Sequence, residues 1–248
     1  MSAFEQLGDR LEGKGRTILY AIAAIIVLGA IAGFLSWHSR KKDEEARQAL
    51  GRAIEIATAP ITTTPFPGSA FSFPTEKERA QRAVEEFQKV AAKYGDPYRS
   101  EARYLAAVNL LTIDPNKGAS ELEALGKGSD ADVAAWAKFA LAQHRAASGQ
   151  YDAAVAIYNE LAGKSDSPIP ADTIKLQLAG VYEKQGKKKE AADLLFSIVE
   201  AARKAQSADG RVPQQSAAAR AAADKLEELD PARFAQLPPA PESNPLNL

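Results

Sequence analysis

Two stretches of this chain, 37 residues apart, carry the same pattern of side chains. Residues 141–158 read LAQHRAASGQYDAAVAIY, and residues 178–195 read LAGVYEKQGKKKEAADLL. A leucine–alanine pair, a glycine and a later alanine coincide at matched places: Leu141/Leu178, Ala142/Ala179, Gly149/Gly186 and Ala154/Ala191. Glycine adopts left-handed turn conformations that cost other residues free energy, and small alanines let helices pack closely. The pattern predicts two consecutive helical hairpins, each turning at its glycine.

Apolar residues recur every three or four positions through most of the remaining chain, which is the period of a helix with one buried face. Residues 38–58 show this spacing up to Pro60, and Thr75 with Glu78 forms a capping box before the next helix. Later helices are predicted from the Asp96-Pro97 cap to about Leu111, at about 117–126, from Ser129 onward with Val133, Trp136, Ala137 and Ala140 on one face, and at about 151–163, 171–185, 188–205 and 215–229. No segment alternates with a sustained period of two. The predicted fold class is all-α, with the helical domain at residues 38–230.

The repeated pattern resembles the tetratricopeptide repeat (TPR), in which helix A carries a leucine with a small residue and helix B an alanine with a bulky residue. Three residues beyond the usual 34 fall around Ser165–Pro170. Upstream, Leu50-Gly51 is similar to the helix A pair, Ala83 with Phe87 is similar to helix B, and residues 98–126 resemble a shortened hairpin. The resemblance covers about 40–205 and implies a TPR-like α-solenoid of antiparallel helical hairpins.

Such a solenoid offers a concave groove, lined by helix A side chains, that would take an extended or helical peptide. The repeat register assigns six residues to the groove: Trp136, Phe139, Gln143, Thr173, Leu176 and Glu183. Trp136 and Phe139 have an alternative interpretation as core residues.

A run of 21 residues without a charge, Thr17 to Trp37, follows a short tail at residues 1–16. At about 1.5 Å per residue it would extend roughly 31 Å, the thickness of a bilayer core. Its ten Ile, Leu, Val and Phe residues would contribute roughly 3–6 kcal/mol to insertion. The run predicts a transmembrane helix. Within it, Gly29 and Gly33 have the GxxxG spacing that lets a second helix approach closely; the alternative is that small residues have this spacing by chance.

Two properties of this segment stay open on the residues alone. Cleavage after Ala32, as in a signal peptide, is the alternative to a retained anchor, although Glu5, Asp9 and Glu12 in the tail disfavour it. Three Lys and Arg residues precede the run and five lie in residues 38–57. The positive-inside rule would keep the large domain cytoplasmic, but the rule weakens before a long folded domain.

Composition excludes several classes of function. The chain has no cysteine and a net charge of −1, which excludes disulfides and thiolate chemistry and gives no reason to expect nucleic acid as a partner. His38 and His144 are the only histidines, and neither has partners at metal-binding or triad spacing. Phosphate-binding and nucleophile motifs are absent from the sequence. We therefore expect no catalysis, no cofactor and no metal.

Three further segments carry predictions. Residues 59–74 are rich in proline and threonine and cannot be helical. Phe66, Phe71 and Phe73 within them could dock a partner or pack on their own domain. Residues 231–248 have little to bury and are predicted to be disordered. The basic run at 184–189, with Lys184, Lys187, Lys188 and Lys189, is a solvated turn or a surface for an acidic partner or phospholipid.

The arrangement of tail, single span, basic exit and degenerate hairpins resembles the ancillary SecYEG translocon subunit family of bacterial inner membranes, whose TPR domain is shared with a cell-division coordinator. The resemblance implies a cytoplasmic N-terminus and a periplasmic repeat domain that contacts translocon subunits, chaperones or unfolded clients. It predicts a protein-interaction scaffold anchored in the bilayer by one helix. The alternative is a structural factor in envelope assembly or cell division, which could form homo-oligomers.

Overall fold

The computed structural model describes residues 41–63, 70–205 and 215–239. The predicted transmembrane helix with Gly29 and Gly33, the tail at residues 1–16 and the side chain of Phe66 lie outside these ranges. The chain forms two compact units, Met1–Ile54 and Glu55–Leu248. Among the described residues, no helix combines the length and apolar character that a bilayer span requires.

The described residues are mainly helical, which confirms the predicted all-α class. Residues 41–57 form α1. The boundary between the two units falls within this helix, after Ile54. The second unit continues with α2 (Glu76–Lys93), α3 (Tyr98–Ile113), α4 (Pro115–Gly126), α5 (Ala131–Ala147), α6 (Tyr151–Ala162), α7 (Ala171–Lys184), α8 (Lys188–Lys204), α9 (Ala217–Leu229) and α10 (Pro231–Phe234).

Short polar side chains set where several of these helices begin. The Thr75 hydroxyl accepts a hydrogen bond from the backbone N–H of Glu78 at 3.1 Å and donates to the Glu78 carboxylate at 3.2 Å. Side chains of four further N-cap residues accept from a backbone N–H in the first turn of their helices: Asp114, Asp130, Ser216 and Asp230. Each cap satisfies a donor that the helix leaves unpaired at its start.

The second unit packs its helices in two layers. From α2 to α10, each helix contacts the next one along the chain. In addition, α3 contacts α5, α5 contacts α7, and α7 contacts α9, whereas α4, α6 and α8 make no comparable contacts with one another in the described ranges. Contacts between alternate helices on one side only are typical of a helical solenoid that curves towards that side. We call α3, α5, α7 and α9 the inner layer, and α4, α6 and α8 the outer layer.

The core repeats with the 37-residue spacing of the sequence. The alanine pairs Ala142/Ala179 and Ala154/Ala191 are all fully buried, and so are the bulky residues that match across the two hairpins at Tyr158/Leu195. These alanines let α5 pack closely on α6 and α7 on α8, because their methyl side chains take up little space between the helices. The predicted pairing of helices is confirmed at both hairpins.

The folded chain extends past residue 230, where the sequence places the start of a disordered tail. Residues 231–234 form α10, and Leu237 is buried in the cluster formed by α8 and α9. Arg233 pairs with Asp193 of α8. The prediction was wrong for residues 231–239 because Phe234 and Leu237 provide apolar area that covers the exposed side of α8. The rest of this tail, residues 240–248, lies outside the described ranges.

The proline-rich segment closes on itself at its ends. Ile61 and Phe73 form an isolated bridge, in which Thr62 N–H donates to the Phe73 carbonyl at 2.8 Å and Phe73 N–H donates to the Pro60 carbonyl at 3.1 Å. Arg79 of α2 donates to the Ala59 carbonyl at 3.2 Å. Phe73 is half-buried at this closure. The described parts of residues 59–74 are not helical, as predicted.

Candidate functional site

The two glycine turns have the same backbone geometry. Gly149 and Gly186 have φ values of 76° and 75°, and they are the non-helical turn positions that the sequence singled out. In the first turn, Gln150 N–H donates to the Arg145 carbonyl at 2.8 Å. In the second, Lys187 N–H donates to the Tyr182 carbonyl at 2.9 Å. These bonds satisfy carbonyls at the ends of α5 and α7 as a Schellman motif does, so the sequence repeat is also a repeat of local structure.

A side-chain hydrogen bond joins the two turns. The Gln185 amide of the second turn donates to the carboxylate of Asp152, at the start of α6, at 2.8 Å. Because Asp152 lies in the first turn of α6, its charge also interacts favourably with the positive end of that helix dipole. The two hairpins are therefore held in register at the turn edge of the stack as well as through their core.

A cavity of about 380 Å³ lies on the inner layer between α5, α7 and α9. Three of the six residues that the repeat register assigns to the groove line it: Gln143, Leu176 and Glu183. Gln143 is exposed, and Leu176 and Glu183 are half-buried. The remaining lining residues are Ala146, Ala147, Tyr158, Gln177, Gly180, Val181, Lys184 and Lys225. We call this surface the inner groove.

The other three assigned residues lie elsewhere. Phe139 is only 8% exposed and packs in the core against Tyr158, with ring centroids 5.8 Å apart, as in the alternative interpretation of this residue. Trp136 is 38% exposed and meets Phe139 edge to face at 6.3 Å. Thr173 is half-buried in the first turn of α7, where its N–H donates to Asp172 at 2.7 Å. Trp136 and Thr173 are not among the residues lining the cavity.

Gly180 is a groove residue that the sequence analysis did not identify. It lies inside α7 at the position matched to Gln143, and a Cβ atom built on it meets no heavy atom within 4 Å. Glycine inside a helix costs about 1 kcal/mol relative to alanine, and no neighbouring atom of the folded domain demands it. The 37-residue match to Gln143 was the sequence signal that could have found it.

The charges of the inner groove lie towards the C-terminal end of α7. Lys225 of α9 contacts the Glu183 carboxylate at 3.3 Å and so links α7 to α9. Gln143 and Gln177 bring carboxamides that both donate and accept hydrogen bonds, and Leu176 and Val181 add apolar surface. Burial raises the pKa of the Tyr158 hydroxyl above its ordinary value. The groove can hold a polypeptide by backbone hydrogen bonds and apolar contacts.

Two more cavities open on the outer layer, which the sequence did not predict. One of about 460 Å³ lies between α4 and α6 above α5, with Leu141 and Ile157 in its lining. Ion pairs Lys138–Glu160 and Lys127–Glu123 lie at its rim. A smaller one of about 300 Å³ lies between α2 and α4 above α3. Both arise because the outer helices are separated while the inner helices touch.

The upstream hairpins depart from the pattern of the two matched ones. Gly51 is exposed, and a Cβ on it would meet nothing within 4 Å, so it does not act as the small packing residue that the sequence match suggested. Gly118 of α4 has that role instead, because its Cβ would lie 2.7 Å from the Leu111 backbone nitrogen. The shortened hairpin thus packs through α3 and α4.

In the ranges that the structure describes, no three histidine, aspartate or glutamate side chains lie close enough together to hold a metal ion. No family model, curated protein or solved structure matches this chain.

Proposed function

We propose that this chain is a membrane-anchored scaffold for protein–protein interactions, which binds polypeptide segments in the inner groove and catalyses no reaction. The observation that carries the proposal is the pair of hairpins with equal turn geometry at Gly149 and Gly186, whose first helices border a common cavity. Stacked helical hairpins of this type use their inner surface for binding. The anchor is the apolar run of residues 17–37 in the sequence.

The chemistry of the groove favours a segment bound through its main chain. Gln143 and Gln177 can each donate to a peptide carbonyl and accept from a peptide N–H. Gly180 leaves open space between them, so a bound backbone could approach α7 closely. Leu176 offers apolar contact to one side chain. A site with these properties tolerates many sequences, as a scaffold for unfolded clients requires.

The partners that we propose are translocon subunits and periplasmic chaperones at the bacterial inner membrane, together with clients leaving the translocon. This part of the proposal depends on the arrangement of tail, span and hairpins, with a cytoplasmic N-terminus and a periplasmic hairpin domain. Tethering by one span would keep the groove at a high effective concentration near the membrane, so modest affinity for each client would suffice.

Affinity purification of the full chain from solubilised membranes tests the proposal. Gly180→Leu should fill the groove without unfolding α7, because leucine is a better helix former than glycine. Asn159→Leu, on an exposed position of the outer helix α6, is the matched control. We expect translocon subunits with the parent chain and the control, and at least about a tenfold loss with Gly180→Leu, which corresponds to 1.4 kcal/mol. Recovery of no translocon subunit by the parent chain would contradict the proposal.

A further inference from the structure

The two matched turns carry opposite charge on the same backbone. Residues 147–153, around Gly149, contain one charged residue, Asp152. Residues 184–190, around Gly186, contain four lysines and one glutamate. The four lysines, Lys184, Lys187, Lys188 and Lys189, are all exposed. We call these four residues the basic turn.

The basic turn opposes the electrostatics of its own helix. Lys187 is the N-cap of α8, and Lys188 and Lys189 are its first two residues, where no side chain caps the free backbone N–H groups. Cations near a helix N-terminus are unfavourable, because the helix dipole is positive there. At the matched position of α6, Asp152 has the favourable sign. Local rules broken in this way are typical of functional surfaces.

Several lysines elsewhere in the second unit pair with carboxylates, as Lys127 does with Glu123 and Lys204 with Glu200. No ion pair within 4.0 Å involves a lysine of the basic turn among the described residues, and the nearby Glu183 pairs with Lys225. Lys187 instead lies over the Tyr182 ring at 5.6 Å. The turn therefore presents its positive charge outward.

We propose that the basic turn binds the anionic surface of a phospholipid bilayer. The inference goes beyond the inner groove but rests on the membrane anchor of the proposed function. Each lysine that reaches an anionic membrane surface strengthens association about fivefold. In a chain tethered to that bilayer, such weak contacts act at high effective concentration. A membrane matches a row of exposed lysines because its charge is spread over a surface and needs no fixed geometry.

The absence of cysteine from the sequence permits a site-specific test on the full chain. A single cysteine at Glu190→Cys, labelled with a fluorophore, reports on the basic turn, and Ala153→Cys reports on the matched position of the first turn. The chain is reconstituted into phosphatidylcholine vesicles with or without phosphatidylglycerol, containing lipids with a nitroxide on the headgroup. We expect phosphatidylglycerol to increase quenching of the label at 190 at least about threefold and to leave the label at 153 nearly unchanged.

Replacing all four lysines by glutamine should abolish the increase, and so should high salt, because screening weakens exposed charges. Quenching that does not depend on phosphatidylglycerol, or that survives the four substitutions, would overturn the proposal. Binding of an acidic protein to the turn, with the label at 190 unquenched in anionic vesicles, would assign the turn to that protein instead.

Flotation separates a failure here from a failure of the proposed function. A chain that does not float with pure phosphatidylcholine vesicles lacks the anchor, and lysine-dependent flotation with phosphatidylglycerol vesicles would still support the basic turn. Loss of translocon recovery on Gly180→Leu, with no change when only Lys187, Lys188 and Lys189 are replaced by glutamine, keeps the groove separate from the turn, because these three lysines do not line the groove.

Discussion

Glycines occupy three kinds of position in the hairpins, and each kind has a different physical consequence. Gly149 and Gly186 have positive φ at the two turns. Gly118 is packed so closely that a Cβ would lie 2.7 Å from the Leu111 nitrogen, whereas Gly180 faces open space in the inner groove. A glycine of the first kind stabilises a turn, and one of the second kind permits close packing. Gly180, the third kind, lowers the stability of α7, and no contact of the fold requires a glycine there.

Alanine at either turn should destabilise the fold by a similar amount. Gly149→Ala and Gly186→Ala should each cost about 1–2 kcal/mol, because an L-residue is strained in the left-handed conformation. Thermal unfolding of the full chain in mild detergent, followed by circular dichroism, should show a fall of about 2–4 °C per kcal/mol. A large effect at one turn and none at the other would contradict the equivalence of the two hairpins.

Gly118 and Gly180 should respond to alanine in opposite directions. Gly118→Ala should destabilise by about 1–3 kcal/mol, because the Leu111 backbone cannot move away as a flexible side chain could. Gly180→Ala should stabilise by about 1 kcal/mol through helix propensity. The same unfolding assay measures both. A destabilised Gly180→Ala variant would mean that α7 packs more closely here than the open space indicates.

The turn glycines were predictable from the sequence because a turn with positive φ favours glycine, and the glycine recurs at the same position of each repeat. The sequence did not predict Gly118, since a close approach between α3 and α4 depends on how two helices cross. For a related reason, the sequence left Phe139 open between the groove and the core. The repeat register identifies the helix, but which of its side chains face the core depends on the rotation of α5 against Tyr158 of α6.

Helix ends and helix pairing follow from local chemistry, and the last element shows where local chemistry is insufficient. Thr75, with its Glu78 partner, was readable as a cap from the sequence. The packing of residues 231–239 was not, because proline-rich segments are usually solvated and only the exposed flank of α8 makes their burial favourable. Arg203 lies over the Phe234 ring at 5.5 Å and Arg233 over the Phe196 ring at 5.2 Å, so this segment is held from both sides.

The C-terminal segment should act as a cap on the helical stack. Leu237→Ala should cost about 2 kcal/mol, at the low end for a buried leucine because the site lies near the end of the packed chain. Gln236→Ala, at an exposed neighbour, should change stability by less than about 0.5 kcal/mol. Hydrogen exchange should show faster exchange in α8 and α9 for the first variant. Equal exchange in both variants would contradict a capping role.

For the second unit, the all-α class and the two matched hairpins were predictable from the sequence, whereas the arrangement of the helices in layers came from the structure. Contacts of α3 with α5, α5 with α7 and α7 with α9 place the inner groove on one side of the second unit. Outer cavities could not be predicted, because they depend on the distance between outer helices that do not touch. The proposed anchoring and partners draw on the apolar run at residues 17–37 and on the resemblance to the ancillary translocon subunit family.

Photo-crosslinking in intact cells tests most directly whether the inner groove is the binding surface. A photoreactive phenylalanine would replace Gln143 in the groove or, as the control, Asn159 on the outer helix α6. Binding in the inner groove should give adducts with translocon subunits from position 143, few or none from position 159, and loss of the adducts on adding Gly180→Leu. Equal adducts from both positions, or adducts from position 143 that persist with Gly180→Leu, would contradict it.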